Sequence, residues 1–456
     1  MRASSRFLTL SACVLGVLAF PLAAAGDHAT RPHTENMHAK GHSPHPATFF
    51  GQPDGVRHIS SDIAFWGRLA FNGNYNGWRV VDISDPDNPV ELAHPKCNGD
   101  QGDIVVWENI LVRSWNSKKT VPRTCLDQTV PAGWEGVHVF DISNVTNPAL
   151  VASVELPCGS HTATVAGVSK GSLIVYSNNS SSSGCGTGLD RAGQDALGDF
   201  MDVIAVPLVN PAGASLIHRE PLAGPTDPTV RTGCHDAGVI RGDVNLAVCA
   251  SADTTNVFSI GAPRGGSLED PLFLYTIQEP GVDGHEGRWH SGALTWDGKV
   301  IILGWEPGGG AAPECEATDP PVKKSMFFYN AATGAKLGQW TLPRPQTSAE
   351  NCTIHNYNIV PLRSGRYVAV SGNYQAGTWA TEFTDPRNPV TLGWADPPPL
   401  VPPDLGGAWS SYWYNNFIYE SEITKGLNVF RLSGDATGGA LRLDHLNPQT
   451  LEFSLP

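Results

Sequence analysis

Short apolar runs, each closed by Gly, Pro, Asn or Asp, recur along the chain from about Ser61 onward, and no convincing helical period interrupts them. The clearest stretch, Ser61 to Pro95, reads SDIAFWGRLAFNGNYNGWRVVDISDPDNPVELAHP and divides into DIAFW, RLAFNGN, GWRVVDIS and PVELA. Runs of that length, rich in β-branched and aromatic residues and bounded by turn clusters, predict strands. The turn Ser84 to Pro89 has its own mechanism. Asp and Asn side chains there accept from local backbone N–H groups, while Pro86 and Pro89 fix φ and cannot continue a ladder.

The pattern repeats. GDIVVWENILVRSW followed by GVHVFDISNVTNPALVASVEL is a second copy, TWATEFTDPRNPVTLGW belongs to a late one, and SSYWYNNFIYESEITKGLNVFRLSG is the last. Aligning first strands gives units opening at Ser61, Gly102, His161, His235, His290, His355 and Ser410, with loop insertions making up the unequal spacing. Seven four-stranded units predict an all-β chain folded as a seven-bladed β-propeller of antiparallel blades, which closes on itself and leaves no long free edge. The expected division is a signal peptide over residues 1–25, a flexible His-rich segment over 26–50, and the propeller over 51–456. Either the lead-in near Phe49-Phe50 or residues 445–453 is expected to supply the strand that completes a terminal blade.

Arg2 and Arg6, the apolar run Phe7 to Phe20 and Ala23-Ala24-Ala25 have the order of a secretory signal. The run is too short to span a bilayer, and no later segment is long enough, so no membrane span is expected. Eight cysteines follow Cys13, which is an even number without a CxxC pair. In an exported chain that predicts disulfides rather than thiolate ligands. Locality suggests Cys97–Cys125, Cys158–Cys185, Cys234–Cys249 and Cys315–Cys352. The net charge of −14, with no basic cluster, argues against nucleic acid or an anionic membrane as partner. A small-molecule ligand or an extracellular protein remains as partner, and a monomer is expected.

GWRVVDISDPDNPV and GVHVFDISNVTNPAL resemble the LVIVD repeat of secreted, mostly bacterial β-propeller proteins. The signature is strong in the first, second and sixth units and reduced to a generic strand in the others (DVIAVPLVNP, SMFFYNAATG, LNVFRLSG). The resemblance implies fold and export and assigns no chemistry.

Four units open on histidine: His161, His235, His290 and His355. With 15 histidines in 456 residues, that recurrence is unlikely to arise by chance. Equivalent positions of a ring converge on its axis, and convergent imidazoles suit one transition metal ion, with iron or copper favoured and zinc acceptable. Ser61, Gly102 and Ser410 at the same position indicate that the fold does not require histidine there. Carboxylates that could hold the second ring N–H of a ligand are Glu286 and Asp236, with Glu350 and Glu422 further off. His58 and His285 could join from loops, whereas His94, His138, His218 and His445 read as packing or surface residues. His28, His33, His38, His42 and His45 form either a solvated linker or a metal-collecting arm. Cys234 beside His235 reads as half of a disulfide, and Trp409, Tyr412, Trp413 and Tyr414 as blade aromatics or a stacking platform. No GxSxG, P-loop, HExxH or dinucleotide motif is present.

The leading expectation is an exported metalloprotein with a tetra-histidine mononuclear site in the channel, acting as a metal-dependent oxidoreductase of oxidase or oxygenase type on a small molecule. The competing expectations are a non-catalytic extracellular binding propeller and a metal-capture protein.

Overall fold

The computed structural model describes residues 27–48, 56–116, 119–156, 158–179, 200–223, 233–251, 254–279 and 288–456. The chain is all-β, with its sheets arranged like the blades of a propeller. In the unit opening near Ser61 the strands Ser60–Trp66, Leu69–Asn74, Gly77–Asp82 and Val90–Ala93 lie side by side in chain order. The same order holds for Thr162–Ser169, Ser172–Asn178, Phe200–Pro207 and Ser215–Pro221. First strands are buried almost throughout, polar positions included, and last strands are half exposed. Between sheets the core is aromatic: Trp78, Trp115, Trp289, Trp305, Trp379 and Trp413 are fully buried.

The repeated turn works as its sequence implies. Asp82 Oδ1 accepts from the Ser84 N–H at 2.9 Å and Asp85 Oδ1 from the Asp87 N–H at 3.1 Å. Asp141 and Asn144 do the same for Ser143 and Thr146, and Asp385 for Arg387.

Both chain ends enter the sheets. Residues 27–48, the described part of the segment expected to be flexible, are built into the fold. Met37–Pro44 is a strand that pairs antiparallel with Gly426–Leu432 and completes the last unit. The buried ion pair of Arg31 with Glu420 (2.9 Å) locks this strap down. The His-rich composition concealed it because those side chains bind the fold rather than water. His28 Nε2 lies 3.1 Å from the Lys40 carbonyl oxygen, His42 Nδ1 2.8 Å from Asn428 Oδ1, and His45 Nε2 accepts from the Asn74 amide. His33 and His38 likewise have their own partners, the Arg31 carbonyl and the Ser433 hydroxyl.

The C-terminal tail crosses the channel at the far ends of the first strands. His445–Leu446 pairs with Trp66 and Phe65, and Thr450–Leu451 runs parallel to Val239 and Ile240. Asn447 exchanges two hydrogen bonds with the Val106 backbone, Thr450 Oγ1 donates to the Val165 carbonyl, and the Leu455 N–H donates to that of Trp296. The tail is thus a floor stitched to five units.

Cys97–Cys125, Cys234–Cys249 and Cys315–Cys352 are bonded as locality suggested. Cys158 is also disulfide-bonded, while Cys185 lies outside the described residues. The signal segment 1–25 also lies outside them, and among the described residues no helix is long and apolar enough to cross a membrane.

Candidate metal centre

First strands begin within two residues of the positions read from the repeat, so the four opening histidines come together at the end of the channel opposite the tail. Their rings form an arc. Centroids are 4.6 Å apart between His161 and His235, 3.9 Å between His235 and His290, and 4.2 Å between His290 and His355. His235, His290 and His355 are buried, and His161 at the end of the arc is partly exposed.

Local structure aims each ring. His290 is the extra residue of a β-bulge between Arg288–Leu294 and Val300–Glu306, where Trp289 faces Trp305 and Ser291 faces Gly304. A bulge re-aims a side chain without breaking the sheet. Three of the histidines follow a bridged cysteine closely: Cys158 precedes His161, Cys234 precedes His235 and Cys352 precedes His355. The bridge to Cys249 joins the approach of His235 to the neighbouring strand Leu246–Ala250.

Burial keeps the imidazoles neutral. Desolvation, with the Arg288 guanidinium nearby, holds His161 down to about 3, and desolvation with the neighbouring His290 does so for His355. Desolvation also pushes His235 and His290 well below the usual histidine range, aided by neighbouring imidazoles and Arg288. Neutral imidazole is the ligand form.

The second ring nitrogens show what is left for a ligand. His355 Nδ1–H donates to the Trp409 carbonyl, which leaves Nε2 with a free lone pair. His290 Nδ1–H donates to Ser291 Oγ at 2.6 Å, and that hydroxyl donates onward to the His355 carbonyl. His235 Nδ1 is buried with no hydrogen-bond partner, an arrangement that costs energy unless something else takes the lone pair. The Asn116 amide donates to His161 Nδ1 at 2.6 Å, with the Gln101 amide 3.3 Å from Nε2. Turning the Asn116 amide end for end would let it accept from Nδ1–H and place the lone pair on Nε2, which the Gln101 amide also reaches.

Glu306 is the residue that sequence reading missed. It is 3 % exposed, with Oε1 3.8 Å from His290 Nε2 and Oε2 3.3 Å from Arg288. Ligand atoms of His235, His290 and Glu306 all lie within 4.8 Å of one another. Part of the signal was available: counting back from the TWDGK turn along the hairpin places Glu306 opposite Trp289, next to His290, and the bulge at His290 moves it one residue further, to Arg288.

Of the carboxylates expected behind the ligands, Asp236 is buried next to His235. Its interactions run to the Ala237 N–H, Gln449, Asp103 and Asp62, and desolvation raises it well above the usual range. Glu350 caps Thr347, and Glu422 accepts from the Gly407 and Thr424 N–H groups. Glu286 and His285 lie outside the described residues. Trp409, Tyr412, Trp413 and Tyr414 are buried packing residues rather than a stacking platform. His138 stacks on Trp134 and His445 on Trp66, with centroids 4.2 Å apart in each pair. Two further groupings of metal-binding residue types exist among the described residues. Cys97 and Cys125 with His138 have no thiolate to offer, and His218, Glu220 and Asp270 form a partly exposed ion-pair cluster.

No curated protein matches the chain. Among solved structures, the WD40 β-propeller domain of Doa1 aligns over 84% of this chain and 99% of its own, at 11% identity and a TM-score of 0.44. The LVIVD repeat model matches residues 59–94 and 130–155, two of the segments that contain the repeated Asp/Asn-capped turn. The chain thus carries LVIVD repeats in these two segments.

Proposed function

We propose that this is an exported propeller of seven four-stranded blades that holds one redox-capable transition metal ion at the channel end. The ligands are His235, His290, His355 and Glu306, with His161 completing the set when the Asn116 and Gln101 amides release it. One observation carries this reading: buried neutral imidazoles 3.9–4.2 Å apart, one with an unpartnered nitrogen, stand beside a buried carboxylate in ligand range. A mixed imidazole–carboxylate set suits iron first, and copper and zinc also. Bound there, iron or copper would supply one-electron chemistry for a small molecule.

The chain's own residues do the rest. Ser291 and the Trp409 carbonyl orient two imidazoles, the tail floor keeps water from entering beneath, and Arg288 offsets the charge of Glu306. The test is elemental analysis of the untagged chain from residue 26 onward, since a start near Thr48 would remove the strap strand. About one tightly held metal per chain is expected, lost in the His235→Ala/His290→Ala double variant with the fold intact. A folded chain that stays empty after reconstitution overturns the reading and leaves a non-catalytic binding propeller. Retention of metal by the double variant overturns the site.

A further inference from the structure

Tyr374 is the most constrained side chain beside the imidazole arc. It is 2 % exposed and has a φ of +50°, the left-handed region that a bulky residue rarely occupies. Such a backbone persists only where its surroundings over-determine it, and it clusters at ligand sites. Here three features hold it. Tyr374 and Ala408 exchange two backbone hydrogen bonds of 2.8 Å. A Cβ on Gly407 would lie 2.1 Å from the Tyr374 carbonyl oxygen, and one on Gly310 would lie 2.3 Å from its hydroxyl. Two glycines therefore clear the space for this one residue.

The ring lies against His355, with centroids 4.3 Å apart, and the hydroxyl donates to Glu306 Oε1 at 3.3 Å. Burial and the Glu306 charge raise the phenol well above its usual range, so it remains a donor. Glu306 is thus held at both ends: Arg288 pulls on Oε2, and Tyr374 holds the oxygen that faces His290. A residue serving packing alone would need neither the hydroxyl nor the left-handed backbone.

We propose that Tyr374 is the positioning residue of the metal centre, its hydroxyl keeping Glu306 Oε1 turned toward His235 and His290 against the pull of Arg288. This rests on the metal reading above. Outer partners of a ligating carboxylate typically contribute about 10–100-fold to metal affinity.

The experiment is titration of the full mature chain with Co²⁺, reading both the dissociation constant and the visible d–d bands. Tyr374→Phe should bind about tenfold or more weakly with altered bands. Tyr367→Phe, which removes a phenol that donates to Asp297 elsewhere, should match wild type. In an Arg288→Gln background, where nothing pulls Glu306 away, Tyr374→Phe should cost far less, a coupling that a packing role cannot produce. Equal losses in both backgrounds, or wild-type affinity and bands in Tyr374→Phe while Glu306→Gln binds weakly, overturn the role of Tyr374. Wild-type binding by both Glu306→Gln and the His235→Ala/His290→Ala variant instead overturns the metal reading on which it stands.

Discussion

Removing each disulfide in turn separates bracing of the fold from bracing of the centre. The bridges close loops with sequence separations of 28, 15 and 37 residues for Cys97–Cys125, Cys234–Cys249 and Cys315–Cys352. Loop-closure entropy depends only logarithmically on length, so Cys→Ala pairs should cost between about 3 and about 4 kcal/mol each, nearly the same for all three. Their positions relative to the centre are not the same. Cys234 is adjacent to His235 and Cys352 lies three residues before His355, whereas Cys97–Cys125 pins the inserted hairpin Arg123–Cys125/Gln128–Val130. Urea unfolding should therefore report similar losses, while metal affinity falls only in the Cys234/Cys249 and Cys315/Cys352 variants. A displacement of an ångström is enough to spoil a ligand set. Equal metal affinity in all three variants, or an equal fall in all three, would refute the bracing argument.

Two further outcomes follow from buried charge. Among the described residues, Arg31→Met leaves the buried Glu420 with Thr378 and Asn428 as donors, and should destabilise by about 3–5 kcal/mol in urea titration, with Glu420→Gln in the same chain recovering much of it. A loss below about 1 kcal/mol would mean that the strap is not locked by this pair. Burial, with Arg113 nearby, holds His138 at about 3, against 6.5 as its ordinary value. Unfolding must then take up a proton between those values, so this histidine contributes stability that is present above pH 6.5 and lost as pH falls toward 3. His138→Phe, which keeps an aromatic ring on Trp134, should shrink the drop in unfolding free energy between pH 7 and pH 4.5; an unchanged drop would contradict the assignment.

The sequence by itself determined the repeat, its strands and its turns. A period-two strand bounded by Asp, Asn and Pro is a local matter, decided within about ten residues by backbone sterics and side-chain capping. It also determined that His161, His235, His290 and His355 share one repeat position, and three cystine pairings came from locality alone. Three features depended on tertiary structure. The Met37–Pro44 strap looked like linker because its ladder partners and those of Arg31, His38 and His42 lie nearly 400 residues away, which no local pattern encodes. Residues 445–453 could be read as a candidate strand, but the tail pairs only in two-residue strands and is held by five separate units that ring closure brings together. Glu306 and Tyr374 meet the imidazoles because a hairpin register and two glycines from distant loops bring them there. The ligating residue types were visible in the chain, but which carboxylate faces them depends on the direction of side chains across a closed ring, and closure is a property of the whole fold.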